Sequence, residues 1–536
     1  MPVGAGGHEQ ALAARGVRKE LGAYYTPPDV VDGLLDLVLD PILAERSSGG
    51  ADAVSAVRVV DPACGTGNFL VAVAARVGAA LERLGLEPGE ARRRAVRCVR
   101  GVELDAATAR LCRDALKAVH VSGGGRSVVR GDALLDDLLP AGRFDLVVGN
   151  PPFLSQLASS TARTRGDAEA LRDRFGSAVG PYTDPAAVFL LAALRAARPG
   201  GTVALVEPVA LLSARDASGV RSAVLAEASL TALWVAEEPV FDADVDVCAP
   251  VLVRGGDGRS TSIVRGRAFD PGPVVPAPAA DAASWSGLLA ALQGLPVRDL
   301  RTAGVLGDVA DATADFRDQY YGLADSVVDR ADGSMPRLVT SGLIDPAVLH
   351  WGLRTCRFNK ASYRYPRVDA DSLAPALQDW VTRRRVPKVL VATQTRVLEA
   401  IVDEAGDLLP SVPVVTVTAR SGQAMDLWRI GALLCSPPVS LVAAHRHLGA
   451  GRNATALRLS ASDLLALPLP AHGPAWDRAA ASFAAASEEG DPAAARALLR
   501  GSAQAMTAAY GLAPGDDLVD WWEARLPRRR AEVTGP

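Results

Sequence analysis

The chain has 536 residues, 49% of them hydrophobic and 22% charged, with a formal net charge of −4. That length exceeds one ordinary core, so two or more domains are expected. The slight negative charge excludes a globally basic nucleic-acid binder and leaves any such surface to a local patch.

Cys64, Cys98, Cys112, Cys248, Cys356 and Cys435 lie scattered without a CxxC pair, which suggests neither a disulfide framework nor a zinc site. No metal is expected. No apolar run approaches the roughly 20 residues of a membrane span, and the start lacks a secretory pattern. The expectation is a cytoplasmic protein without a membrane partner.

In chain order, residues 1–20 are polar, Gly- and Ala-rich, and read as a flexible N-terminus. Between 21 and 255 short apolar runs alternate with helical patterns. "VRVVDPA" (57–63), "CVRGVELD" (98–105), "SVVRGDAL" (127–134), "FDLVVGNPPF" (144–153) and "GGTVALVEP" (200–208) read as strands. Segments 68–85, 106–118 and 185–198 read as helices between them. Such alternation predicts an α/β domain, a doubly wound mixed seven-stranded Rossmann-like sheet. Residues 230–241 and 246–255 fit a terminal hairpin of it. The Gly-, Pro- and Ser-rich stretch 256–299 reads as a linker or surface excursion. Residues 300–470 read as a C-terminal α+β domain, and 471–536 as a helical tail.

Three strand ends carry chemistry. "DPACGTGNF" (61–69) leaves a buried strand and opens a helix, and Gly65 and Gly67 permit a tight turn with close approach to the backbone. Neither GxGxxG nor GK[ST] follows, which disfavours dinucleotide and triphosphate cradles. Glu103 ends the next strand and Asp132 the third, at the rim where open α/β sheets bind ligands. Together they outline a nucleoside pocket without phosphate recognition, as S-adenosylmethionine requires. A structural turn and two surface acids are the competing reading.

The fourth strand runs into Asn150-Pro151-Pro152-Phe153. Two prolines remove donors and restrict the backbone, which suits a rigid device at a strand end. An Asn oxygen and the next carbonyl can each accept a hydrogen of an exocyclic amine, turning its lone pair toward a methyl donor. Phe153 offers a face on which a base stacks.

These motifs resemble the gamma-class S-adenosylmethionine-dependent DNA adenine-N6 methyltransferases of restriction–modification and phage-defence systems. The resemblance covers 20–255 well and 300–470 loosely. It implies that "LGAYYTPPDVV" (21–31) lays Thr26 and Pro27 against the methionine part of the cofactor, and that Asp61, Ala63, Gly65 and Gly67 line the ligand. It further implies that Glu103 takes the ribose hydroxyls, Asp132 takes the adenine amine, and Asn150, Pro151, Pro152 and Phe153 act in catalysis. Phe241 resembles the aromatic that packs on the flipped target base.

The last domain would then read DNA sequence. Ten Lys/Arg against three Asp lie between Trp351 and Arg396, interleaved with Tyr363 and Tyr365. Arg354, Arg357, Lys360, Arg364 and, in a later segment, Arg452 are the candidate DNA contacts, with a solvated basic face as the alternative. Double-stranded DNA is the expected partner. None of the four lysines has an acid two places earlier, so a separate restriction or defence subunit is the expected source of any cleavage. Two other readings are RNA guanine-N2 methylation and a catalytically silent DNA-binding subunit.

Overall fold

The computed structural model describes residues 26–119, 127–153, 164–241, 245–279, 282, 284–315, 317–420, 426–450 and 454–527. The stretch expected to be flexible, 1–20, and the candidate DNA-binding residue Arg452 lie outside these residues. The described chain divides into two compact units: 1–293 with 452–454, and 294–451 with 455–536.

The first unit is built on one sheet. Its strands are β1 (Val59–Asp61), β2 (Val99–Glu103), β3 (Val128–Arg130), β4 (Phe144–Gly149), β5 (Ala197–Leu205), β6 (Glu207–Pro208), β7 (Ala228–Val235), β8 (Val247–Arg254), β9 (Ser260–Arg265) and β10 (Asp270–Pro276). The order is β10-β9-β7-β8-β5-β4-β1-β2-β3, with the short β6 paired to β8. β1 to β5 pair in parallel, and β8 enters antiparallel between β5 and β7. That is the mixed doubly wound sheet expected, though with ten strands rather than seven, and 230–241 and 246–255 supply its hairpin.

Apolar side chains at helical spacing pin the flanking helices. Val30, Val31, Leu34, Leu35 and Val38 bury one stripe of Pro28–Val38. Phe69, Leu70, Val73, Val77 and Leu81 do so on Asn68–Arg83. Both stripes share a core with Leu146 and Val148 of β4 and Ala204 of β5, and the two β4 residues, two apart, lie on one sheet face. Helices Pro185–Ala196 and Ser218–Glu227 pack against β4, β5 and β7 with side chains outside that core.

The linker expectation is corrected. The supposed linker 256–299 contains β9, parallel to β7, and β10, antiparallel to β9, so the sheet continues past the hairpin. β10 is an edge strand, which tolerates its Pro271, Pro273 and Pro276 because a missing donor can face outward. The β9–β10 turn also holds the first helix. Arg267 forms a two-armed ion pair with Asp29 at 2.7 and 2.8 Å. Phe269 stacks on Trp234 at 5.1 Å and lies over Gly33, where a Cβ would stand 2.1 Å from its ring. Trp234 in turn donates to the Gly266 carbonyl at 2.9 Å.

The second unit is α+β. Ala310–Ala314, Val414–Ala419, Lys388–Ala392 and Glu399–Asp403 form an antiparallel sheet. A second sheet joins Val327–Asp329, Pro366–Val368, Arg337–Val339 and Leu408–Pro410. Helices Pro474–Glu488 and Pro492–Ala509 pack on each other and on Leu427–Leu434, so the described part of the expected tail 471–536, residues 471–527, belongs to this unit's body. Among the described residues no single helix is long and apolar enough to cross a membrane.

Candidate active site

β1, β2, β3 and β4 run parallel, so their C-terminal ends share one edge, and the candidate cofactor and catalytic residues follow those ends. Asp61 closes β1, is buried, and accepts from the Ala63 amide at 3.0 Å through Oδ1. Burial, helped by the nearby Glu103 charge, pushes its carboxyl up to about 8 against the pull of that amide. A Cβ on Gly149 would stand 2.3 Å from the same Oδ1. The glycine before Asn150 therefore makes room for the acid of the glycine-rich turn.

In that turn Gly65 has φ +53° with open space where a side chain would be, and Gly67 has φ +96° as the cap of helix Asn68–Arg83. At Gly67 a Cβ would press within 2.6 Å of the Cys112 sulfur. Glu103 ends β2 and reaches back to this turn: Oε2 accepts from the Gly65 amide at 3.0 Å and Oε1 from the Asp105 amide at 2.9 Å. Burial raises this carboxyl above its ordinary range, while both amides oppose the rise. Each oxygen keeps a second lone pair for a ligand hydroxyl. Asp132, after β3, accepts the Leu134 and Leu135 amides through Oδ1, at 2.8 and 3.2 Å. Leu104, absent from the sequence reading, is 60% exposed beside Glu103 and offers apolar surface to a flat ring. The signal was the leucine inside "GVELD", an apolar residue past a strand's end.

Asn150 follows β4 directly. Its Nδ2 donates to Thr26 Oγ1 at 3.0 Å, and Asn68 Nδ2 donates to the Thr26 carbonyl at 3.4 Å. Thr26 is 4% exposed and Pro27 sits at the entry of helix Pro28–Val38. Pro151 is buried, while Pro152 and Phe153 are half-buried. The Phe153 and Phe241 rings meet edge to face, 6.1 Å apart at 64°. The two aromatics expected to meet the target base are thus neighbours, though Phe241 is itself largely buried in the core.

The basic stretch of the second unit is partly internal. Arg354 spends its guanidinium on Asp345, at 2.9 and 3.1 Å, and on the Gly342 carbonyl. Lys388 is wholly buried on Asp403, and Arg384 pairs with Asp315. Arg367 caps three carbonyls, and its guanidinium lies 4.8 Å from the Trp351 ring centre. Arg364 is exposed but donates through Nε to Gly352. Arg357 and Lys360 remain exposed on the hairpin Cys356–Phe358/Ala361–Tyr363, whose turn residues Asn359 and Lys360 have φ +43° and +70°.

An open sheet of this order, with a glycine-rich turn, two further acids and an Asn-Pro-Pro at one edge, defines a Rossmann-like methyltransferase fold. Residues 10–264 match the family model described as N-6 DNA Methylase. A stretch of 148 residues is 32% identical to the Type II methyltransferase M.BstVI of Geobacillus stearothermophilus, covering 25% of this chain and 25% of that protein. The chain thus matches about a quarter of the length of that relative.

Two solved structures resemble the fold. The Type IIL restriction-modification enzyme MmeI in complex with DNA gives a TM-score of 0.63 at 14% identity, over 95% of this chain and 78% of that one. A nuclease-deletion mutant of the Type ISP restriction-modification enzyme LlaGI in complex with a DNA substrate mimic gives 0.54 at 12%, over 87% and 47%.

Proposed function

We propose that this chain transfers a methyl group from S-adenosylmethionine to the N6 amine of adenine in double-stranded DNA, as the modification component of a restriction–modification or related defence system. The observation that carries the reading is Asn150-Pro151-Pro152 at the end of β4, on the edge that also holds Asp61, Glu103 and Asp132. The first unit fits the cofactor: open space over Gly65 admits it, and the Glu103 and Asp132 carboxylates accept nucleoside hydroxyls and amines. When bound, that group supplies an electrophilic methyl on a sulfonium.

The protein's own contribution is positional. Asn150 and the Pro151 carbonyl accept the two hydrogens of the amine, raising the lone pair toward the methyl. Phe153 and Phe241 receive the base, which must leave the duplex stack to reach them. Arg357 and Lys360 serve as DNA contacts, and the compartment is the cytoplasm, where such DNA lies. Match to the family model and to a curated Type II methyltransferase supports adenine in DNA as the substrate.

The test is long-read mapping of modified adenines in a methylation-free bacterial host expressing the chain or its Asn150→Ala variant. A motif methylated only by the parent protein is expected, with cofactor affinity preserved in the variant. Methylation that survives Asn150→Ala would overturn the role given to that amide.

A further inference from the structure

The two ends of an asparagine side chain are nearly the same size and opposite in character: Nδ2 donates, Oδ1 accepts. A half-turn of the amide exchanges them. Only one orientation is productive toward an exocyclic amine, because –NH2 against –NH2 sets two donors face to face. Something next to Asn150 has to hold the amide in that orientation.

Thr26 is the residue placed to do so. Its Oγ1 lies 3.0 Å from Asn150 Nδ2 and takes that donor. The threonine is fixed in three ways. It is 4% exposed, its carbonyl accepts from Asn68 Nδ2 at 3.4 Å, and its chain enters a helix through Pro27 and Pro28. A β-branched side chain held in this way has little χ1 freedom, so its hydroxyl is a stationary partner, and toward Asn150 it acts as the acceptor. With Nδ2 committed to Thr26, Oδ1 is turned to the other side of the amide. Asn68, Thr26 and Asn150 form a short polar relay from the glycine-rich turn to the catalytic strand end.

We infer that Thr26 is a positioning residue that sets which end of the Asn150 amide meets the substrate amine; this rests on the methyl-transfer reading above. Valine in its place keeps the branched shape and removes the acceptor. Serine keeps the acceptor and removes the methyl.

The experiment compares the parent protein with Thr26→Val and Thr26→Ser in single-turnover methylation of a substrate duplex, alongside cofactor and DNA dissociation constants and thermal midpoints. At saturating cofactor, Thr26→Val is expected to slow the chemical step about tenfold with DNA affinity within about twofold of the parent, and Thr26→Ser to recover most of the rate. A parent-like rate in Thr26→Val overturns the inference. So does a Thr26→Ser variant as slow as Thr26→Val, which would make the threonine a packing element. Selective 15N labelling of asparagine adds a readout free of turnover: one Asn150 amide proton is expected to be shifted and slow to exchange in the parent and in Thr26→Ser, and not in Thr26→Val. If the parent methylates no DNA while that signature is present, the substrate reading fails and the positioning role stands. Absence of the signature in the parent removes the role whatever the activity.

Discussion

Gly149 stands one residue before Asn150 and owes its identity to an acid far earlier in the chain. Asp61 fills the volume a side chain would need, with 2.3 Å between its Oδ1 and the missing Cβ. Gly149→Ala is therefore expected to displace a buried carboxyl that no flexible neighbour can replace. A cost of about 1–3 kcal/mol in stability should accompany it, with weakened cofactor binding. Thermal unfolding and calorimetric titration with S-adenosylmethionine check this; a variant unchanged in both would break the link between the two motifs. Individual residues of the site were legible because each motif is a contiguous run at a strand end. Their partnerships were not. Thr26 and Asn150 are 124 residues apart, and Phe153 and Phe241 meet only once the sheet order is known.

Short β6 introduces an acid that no motif announced. Glu207 is fully buried opposite Cys248, and among the described residues neither carboxyl oxygen has a hydrogen-bond partner. Burial, with the charge of Asp184 behind it, drives this carboxyl well above its ordinary range. The folded chain keeps a proton there that the unfolded chain releases above the usual carboxylate pKa. Its stabilising contribution is therefore complete at acid pH and is lost as pH rises toward the folded value; Asp61 behaves likewise up to about 8. Each such group erodes stability by up to about 1.4 kcal/mol per pH unit in that window. Glu207→Gln should flatten the fall of the thermal midpoint between about pH 5 and 8. An equally steep fall in the variant would show that Glu207 is ionised in the fold. At this scale the alternation of strands and helices across 57–255 was readable from hydrophobic period. β10 was hidden by its prolines and glycine, because an edge strand need not satisfy the pattern of a central one, and β9 by the glycine-rich run just before it.

A local excess of arginine is not yet a surface. Of the basic residues between Trp351 and Arg396, Arg354, Arg367, Arg384 and Lys388 are committed to carboxylates or carbonyls of their own unit. Counting charges along the chain could not separate these from Arg357 and Lys360, since the neutralising acids lie elsewhere in sequence. Replacing Arg357 and Lys360 by alanine is expected to weaken DNA binding. The slope of log affinity against log salt should fall by about 0.9 for each phosphate no longer neutralised. Arg354→Ala should instead leave Asp345 without its two-armed partner and lower the unfolding temperature with the salt slope unchanged. Titrations across a salt series separate the two outcomes, and a slope indifferent to Arg357 and Lys360 would move the DNA surface elsewhere.

The turn between β9 and β10 also has a meaning in time. Arg267 grips Asp29 across 238 residues of chain, and Phe269 lies on Gly33 in the same helix. A ribosome adding roughly 5–20 residues per second delivers Thr26 some tens of seconds before the turn that clasps its helix from outside. Through that interval the nascent polypeptide already carries the glycine-rich turn, both later acids and the Asn-Pro-Pro-Phe tetrapeptide, while the helix after Thr26 rests on its core face alone, without the Arg267 pair or the Phe269 ring. A fragment cut at residue 255, where the recognisable motifs stop, would be frozen at that stage of its own synthesis, with every sequence signature present and the outer face of that helix unclasped.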